Sequence, residues 1–198
     1  MEKFPDYPLS LKQKMPLPTL TGDRDTIISS LAYHPPCTIR VYSDGSKLKD
    51  GKTGWGVLVY YDGEEIASAA GALGPRAETY DAEIRGALEG LKIAANVPGI
   101  STVELLIDNH AAAQRLHAEV PGPMDHMLMS VAIALKRNLA ESVSVHVRWI
   151  PGYAGIPGNE AADALAKEGA IAPIFPNAST LSYERRRATN LTTAERQE

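Results

Sequence analysis

The chain has 198 residues, of which 44% are hydrophobic and 22% are charged, and its formal net charge is −4. These values are typical of a soluble chain and predict one domain of about 130–150 residues with tails. No apolar run approaches the roughly 20 residues of a membrane helix, and the proline- and charge-containing N-terminus is unlike a signal peptide. The single cysteine, Cys37, excludes an internal disulfide and favours an intracellular compartment, nucleus or cytoplasm.

Hydrophobic periodicity and turn residues predict the element order βββαβααβα within residues 37–172. Before it, residues 1–36 are expected to form an extended arm or linker with a short helix at 25–32, and residues 173–198 a polar tail. The expected strands cover residues 37–44, 54–61, 64–73, 102–107 and 143–149, and the expected helices cover residues 78–95, 109–118, 124–140 and 158–169. This order fits an α/β fold in which helices cover a mixed five-stranded sheet.

Two acidic residues are predicted to lie at strand ends. Asp44 ends an alternating strand of β-branched and aromatic residues and is followed by Gly45-Ser46. Asp108 ends a nearly continuous apolar run that is typical of a buried central strand. Individually, each of these residues could be a turn former or a surface charge.

Two further acids are predicted near helix starts. Glu83 lies in a stretch whose apolar residues recur at helical spacing. Asp163 lies in the last helix, behind a loop rich in glycine and proline, and Asn159 is the expected N-cap of that helix. An isolated aspartate such as Asp163 is usually a solvated surface charge, but the three upstream carboxylates favour a shared site instead.

Four motifs, in order and spacing, resemble the ribonuclease H family over residues 38–170. They are found in Tyr42-Ser43-Asp44-Gly45-Ser46 with Gly54-Trp55-Gly56-Val57, in Ala82-Glu83, in Ile107-Asp108-Asn109, and in the block 152–167. The combination of the four motifs is specific for this family, whereas the tripeptide Asp-Gly-Ser alone would not identify it. The chain looks closest to the ribonuclease H domains of eukaryotic, in particular fungal, non-LTR retrotransposon polyproteins.

The resemblance implies a metal-dependent endonuclease that hydrolyses the RNA strand of RNA/DNA hybrids, with a reverse transcriptase as a further expected partner. Its cofactor would be two Mg²⁺ ions, replaceable by Mn²⁺, held by Asp44, Glu83, Asp108 and Asp163. Asp44 would be shared between the ions, Glu83 and Asp108 would lie on one side, and Asp163 on the other. Carboxylates suit Mg²⁺, which is a hard cation and prefers oxygen ligands.

Three polar residues are candidate contacts to the nucleic acid: Ser46, Asn109 and Asn159. The family distinguishes RNA by its 2′-hydroxyl, which can donate and accept a hydrogen bond. Each of the three could equally be a turn or cap residue. Ser46 also occupies the position at which a DEDD-type exonuclease would carry a second acid, so its identity favours an endonuclease.

The chain departs from the family pattern at two places. One of them, Tyr153, together with the acidic charge favours an alternative, a degenerate, weakly active or inactive module that binds nucleic acid, whereas the other, a missing basic segment, resembles domains that rely on an attached polymerase to hold the hybrid. Tyr153 stands where the family usually has an accessory histidine, and a phenol of pKa about 10 exchanges protons poorly at neutral pH. The segment between Leu116 and Met127 contains no Lys or Arg, although many relatives have a basic protrusion there. An acidic chain also lacks the positive charge that supplies most non-specific affinity for nucleic acid.

Overall fold

The computed structural model describes residues 17–18, 23–119 and 127–173. Ten elements lie in these ranges, and after α1 they follow the order βββαβααβα, which confirms the predicted α/β fold. The strands are β1 (Thr38–Lys47), β2 (Thr53–Tyr61), β3 (Glu64–Ala72), β4 (Thr102–Ile107) and β5 (Ser144–Trp149). The helices are α1 (Arg24–Ala32), α2 (Thr79–Ala94), α3 (His110–Ala118), α4 (Met127–Leu139) and α5 (Pro157–Ile171).

The strands form one mixed sheet in the order β3-β2-β1-β4-β5. The first three strands form an antiparallel meander, whereas β4 and β5 run parallel to β1. The turn between β2 and β3 has positive φ at both Asp62 (49°) and Gly63 (90°), as a two-residue hairpin of type I′ requires. The Asp62-Gly63 pair in the sequence is therefore a correct signal for this hairpin.

Helices cover both faces of the sheet. Val41 and Leu105 point into the larger core, under α2, α3 and α4. Tyr42 and Leu106, the next residue along each strand, point into a second core with α1 and α5. Because successive strand residues face opposite sides, burial on both faces explains why β4 is almost continuously apolar.

Helix α5 lies directly against the backbone of β2. A Cβ atom added at Gly56 would overlap Ala162 O and Ala166 N, and one added at Gly54 would overlap Ala170 N. Both glycines lie inside β2, as the predicted strand at 54–61 implies, and they permit close helix-to-strand packing. The glycines thus set the distance between the sheet and the helix that contains Asp163.

The segment expected to be an extended arm contains α1, which confirms the predicted short helix. Asp23 is its N-cap and accepts a hydrogen bond from Thr26 N at 2.8 Å. Ile27 and Leu31 are buried in the second core. The domain limits at residues 37 and 172 stay a prediction. Residues 1–16 and 19–22 of the expected arm, residues 120–126 of the segment without Lys or Arg, and residues 174–198 of the expected tail lie outside the described residues.

The start of α5 differs from the expectation. Pro157 is the first residue of the helix and Ile156 is its N-cap, so the prediction of Asn159 as the cap was wrong. Proline is favoured at the first helical position because its φ is already helical and its missing N–H would have no partner there. Among the described residues, no helix is long and apolar enough to cross a membrane.

Candidate active site

Three of the four predicted carboxylates converge at one end of the sheet. Asp44, Glu83 and Asp108 each offer an oxygen within 4.8 Å of the others. They come from β1, from α2 and from the residue that follows β4, respectively. Residues separated by up to 64 positions in the sequence are therefore brought to one point by the parallel pairing of β1 with β4 and by the packing of α2.

Asp44 lies inside β1, so the prediction that it ends this strand was wrong. The pairing of β1 with β4 stops at Ser43, whereas its pairing with β2 continues to Lys47. Gly45 and Ser46, which suggested a strand end, remain in that ladder. The Asp44 side chain consequently lies where β4 has already ended, at the open end of the sheet.

Gly45 allows α2 to approach this part of β1. A Cβ atom at Gly45 would lie 2.6 Å from Thr79 O and 2.7 Å from Glu83 N, which no real Cβ contact tolerates. The Gly45 amide also donates to Asp44 Oδ1 at 2.8 Å and orients that carboxylate. One glycine thus both admits the helix that contains Glu83 and fixes the acid beside it.

Glu83 is the most deeply buried member of the cluster, with 2% of its surface exposed. Its Oε2 atom is buried and has no hydrogen-bond partner among the described residues. A buried carboxylate oxygen without a partner costs free energy unless a proton or a cation satisfies it. The acid cluster therefore has the ligand type and the unsatisfied acceptor that a divalent metal ion would fit.

Asp108 is positioned by side chains from two other elements. Asn159 Nδ2 donates to Asp108 Oδ2 at 3.3 Å, and Trp149 Nε1 donates to the Asp108 carbonyl at 2.8 Å. A Cβ atom at Gly152 would lie only 2.7 Å from Asp108 Oδ2, so this loop needs glycine to pass the carboxylate. Asn159 thus orients Asp108 from inside α5, a role that its expected position as a cap did not suggest.

Asp163 lines the same cleft but lies outside the group of three. Its carboxylate forms an ion pair with Lys167, one turn later in α5. The hydrogen bond from this lysine to Asp163 raises the lysine pKa above its ordinary value. The spacing of four residues between acid and lysine, typical of helix surface pairs, was the sequence signal for this contact.

Burial and mutual repulsion raise the pKa values of the three clustered acids. Loss of hydration is the largest cause for each, and the neighbouring carboxylates add to it. The pKa of Asp44 rises from 3.8 to about 7, that of Glu83 lies well above its ordinary range, and that of Asp108 is also raised. At neutral pH the cluster thus holds protons that a cation could displace.

These shifts predict how the stability of the metal-free protein depends on pH. Because folding raises the pKa of Asp44, its contribution is most favourable below pH 4 and is lost as pH rises through about 7. Relative to an Asp44→Asn variant, the wild type should lose roughly 1–3 kcal/mol of unfolding free energy between pH 5 and pH 8. Urea unfolding of both proteins in EDTA would measure this, and a constant difference across that range would contradict it.

Asp44, Asp108 and Asp163 line a cleft of about 400 Å³, beneath which Glu83 is buried. Ser46 and Asn159 line it, whereas Asn109 caps α3 by accepting a hydrogen bond from Ala112 N at 3.1 Å. Tyr153 lies at the rim with 90% of its surface exposed and with a positive φ of 54°. The lining residues that were not predicted to belong to the site include Lys47, Lys49, Thr79 and Lys167.

Comparison with known proteins agrees with this arrangement. The family model for RNase H matches residues 37–171. Ribonuclease H of Verminephrobacter eiseniae is 31% identical over 143 residues, which are 66% of this chain and 89% of that protein.

Two solved structures are similar in fold. LC11-RNase H1 in complex with an RNA/DNA hybrid has a TM-score of 0.53 and 17% identity, over 67% of this chain and 96% of that one. The protease–reverse transcriptase of prototype foamy virus has a TM-score of 0.55 and 20% identity, over 69% of this chain and 21% of that one. The extent of the family match, which includes all four acids, shows that this chain belongs to the ribonuclease H family of enzymes.

Proposed function

We propose that this protein is a metal-dependent endonuclease that hydrolyses the RNA strand of RNA/DNA hybrids. Asp44, Glu83, Asp108 and Asp163 would hold two Mg²⁺ ions, for which Mn²⁺ can substitute. The observation that supports this most strongly is the convergence of three buried acids around an unsatisfied Glu83 oxygen. Such a cluster is unfavourable by itself, and bound cations would relieve its repulsion.

When bound, two such ions would activate a water molecule and stabilise the charge that develops on the leaving oxygen. Two groups of the protein orient the carboxylates that would hold the ions. The Gly45 amide fixes one oxygen of Asp44, and Asn159 fixes one of Asp108. Asp163 would have to exchange its ion pair with Lys167 for the metal, and the lysine would then remain at the cleft as a cation for a phosphate.

Family membership and the RNA/DNA hybrid bound by LC11-RNase H1 support the proposal of a hybrid substrate. Lys47 is paired with Glu78 at 3.1 Å, but Lys49 and Lys167 place positive charge along the cleft of a chain that is acidic as a whole. Phosphate contacts from such lysines would supply sequence-independent affinity. A reverse transcriptase remains a proposed partner, in line with the similar fold found within the foamy virus enzyme.

A substrate panel tests this function. Hybrid, duplex DNA and duplex RNA of one sequence, each labelled on both strands in turn, would be incubated with the purified chain in Mg²⁺. We expect cleavage of the RNA strand of the hybrid alone. Cleavage of duplex DNA at a similar rate, or of neither strand of the hybrid, would refute the proposal.

The second candidate is a weakly active copy that mainly binds nucleic acid. Tyr153 favours it, because this exposed tyrosine stands at the rim of the cleft where the family usually has an accessory histidine. Hybrid binding without cleavage, by a chain that still binds Mg²⁺, would support this candidate over the first.

Replacing Tyr153 by His is expected to raise turnover about 10-fold, below the roughly 10²–10⁴-fold that fully developed acid–base assistance contributes, because this residue would be an accessory to metal catalysis. The positive φ of this residue, 54°, suits histidine, which is enriched in that region of backbone space. Tyr153→Phe, which keeps the ring and removes the hydroxyl, serves as the control and should retain the wild-type rate. Single-turnover and steady-state rates on one hybrid would measure the effect. An unchanged or lower rate for the histidine variant would show that Tyr153 does not limit turnover.

A further inference from the structure

We propose that Arg24 is a positioning residue for the cleft loop, defined here as residues 152–156. It belongs to α1, which precedes the region matched by the family model, and it acts on the loop that contains Tyr153. The effect on catalysis rests on the proposed function, whereas the effect on the loop does not.

Helix α1 is fixed against the domain along its length. Ile27 and Leu31 are buried beside Tyr42 and Ile156 in the second core. Since Ile156 is also the N-cap of α5, α1 packs against the residue where the cleft loop ends. The helix therefore shares a core with the end of the loop that it is proposed to position.

The C-terminal end of α1 is held by a buried arginine of β1. Arg40 donates to Leu31 O at 2.5 Å and to Tyr33 O at 3.2 Å. Arg40 is 3% exposed and is itself held by an ion pair with Glu104 at 2.8 Å. If this end of α1 moved, the buried guanidinium of Arg40 would keep its ion pair with Glu104 but lose two carbonyl acceptors, which costs free energy and restrains the helix end.

The N-terminal end of α1 contacts the cleft loop. Arg24 Nε donates to Ala154 O at 2.6 Å, across 130 positions of sequence. The guanidinium also lies over Gly155, where an added Cβ would overlap it and where φ is +67°. The loop residue next to Tyr153 is thus tied to a helix whose other end is anchored.

Two further contacts restrain the same loop from other sides. Gly155 N donates to Glu160 Oε1 at 3.2 Å, and Gly152 passes against the Asp108 carboxylate. Arg24 supplies a restraint from outside α5 and the sheet. Because the hydrogen bond from Arg24 to Ala154 is exposed, it should contribute little to the global free energy of unfolding. It should nevertheless favour the observed conformation of the cleft loop over displaced conformations.

Native-state proteolysis with chymotrypsin tests this proposal on the full chain. Tyr153 and Tyr33 are both exposed tyrosines, and fragment masses distinguish cleavage after one from cleavage after the other. Arg24→Ala should accelerate cleavage after Tyr153 about 3- to 10-fold, as expected for losing one hydrogen bond, with no change at Tyr33 or in melting temperature. Arg24→Lys, which keeps a donor, should partly restore protection, and Ser29→Ala on the same helix should match wild type.

Equal acceleration at both tyrosines would overturn the proposal, because Arg24 would then anchor α1 and not position the loop. Unchanged cleavage after Tyr153 would also overturn it. If the wild type cleaves hybrids, Arg24→Ala should lower kcat about 2- to 5-fold at unchanged KM, and it should have no further effect in a Tyr153→Ala background. If the wild type cleaves no hybrid, the proposed function fails while the proteolysis still decides the role of Arg24.

Discussion

Replacing Asp44 by Asn is expected to reduce hybrid cleavage by at least about 10³-fold, because metal ions stabilise the transition state by several kcal/mol and each 1.36 kcal/mol is tenfold in rate. The amide keeps the shape of the side chain but removes the charge at the centre of the cluster. Its oxygen can still accept the hydrogen bond from the Gly45 amide, so the fold should remain.

The same variant should bind Mg²⁺ more weakly and, without metal at pH 8, should unfold at a higher temperature than the wild type. Asp25→Asn, an equivalent change at an exposed position of α1, is the matched control and should alter neither property. Wild-type cleavage by the Asp44→Asn variant would remove this acid from the mechanism.

Gly56→Ala is expected to lower the free energy of unfolding by about 2–4 kcal/mol, at the upper end for overpacked sites. The added methyl would overlap Ala162 O and Ala166 N, which are backbone atoms of α5 and cannot rotate away. The melting temperature should fall by about 5–10 °C in a domain of this size. Since α5 contains Asn159 and Asp163, its displacement should also abolish cleavage.

The control for this change is Ser144→Ala, at an exposed position of β5, which should stay within about 0.5 kcal/mol of wild type. Thermal and urea unfolding of both variants would measure the difference. A Gly56→Ala protein as stable as the control would show that the distance between α5 and β2 is not set by this glycine.

The strands and helices were predictable because their signals are local. Alternation in β1, the apolar run of β4 and the Asp62-Gly63 turn each reflect the residues' own burial or backbone preferences. The convergence of Asp44, Glu83 and Asp108 was reached through resemblance to a family. No local pattern specifies that their carboxylates meet.

The features that were missed depend on tertiary contacts. The β1 strand continues past Asp44 because β2 still pairs with it, which Gly45-Ser46 does not reveal. The contact between Arg24 and Ala154 spans 130 positions and has no periodic signature. By contrast, the start of α5 at Pro157 has a local signal, because proline is common at the first position of a helix.

Whether the acid cluster holds the metal ions needed for hybrid cleavage can be decided by one experiment. Single-turnover cleavage of an RNA/DNA hybrid, labelled on the RNA strand, would be followed across a Mg²⁺ titration for wild type and Asp44→Asn. We expect no cleavage in EDTA, a rate that rises to saturation with Mg²⁺ for wild type, and a rate at least about 10³-fold lower for the variant at every concentration. A wild-type rate that is independent of Mg²⁺, or equal for the two proteins, would contradict the account.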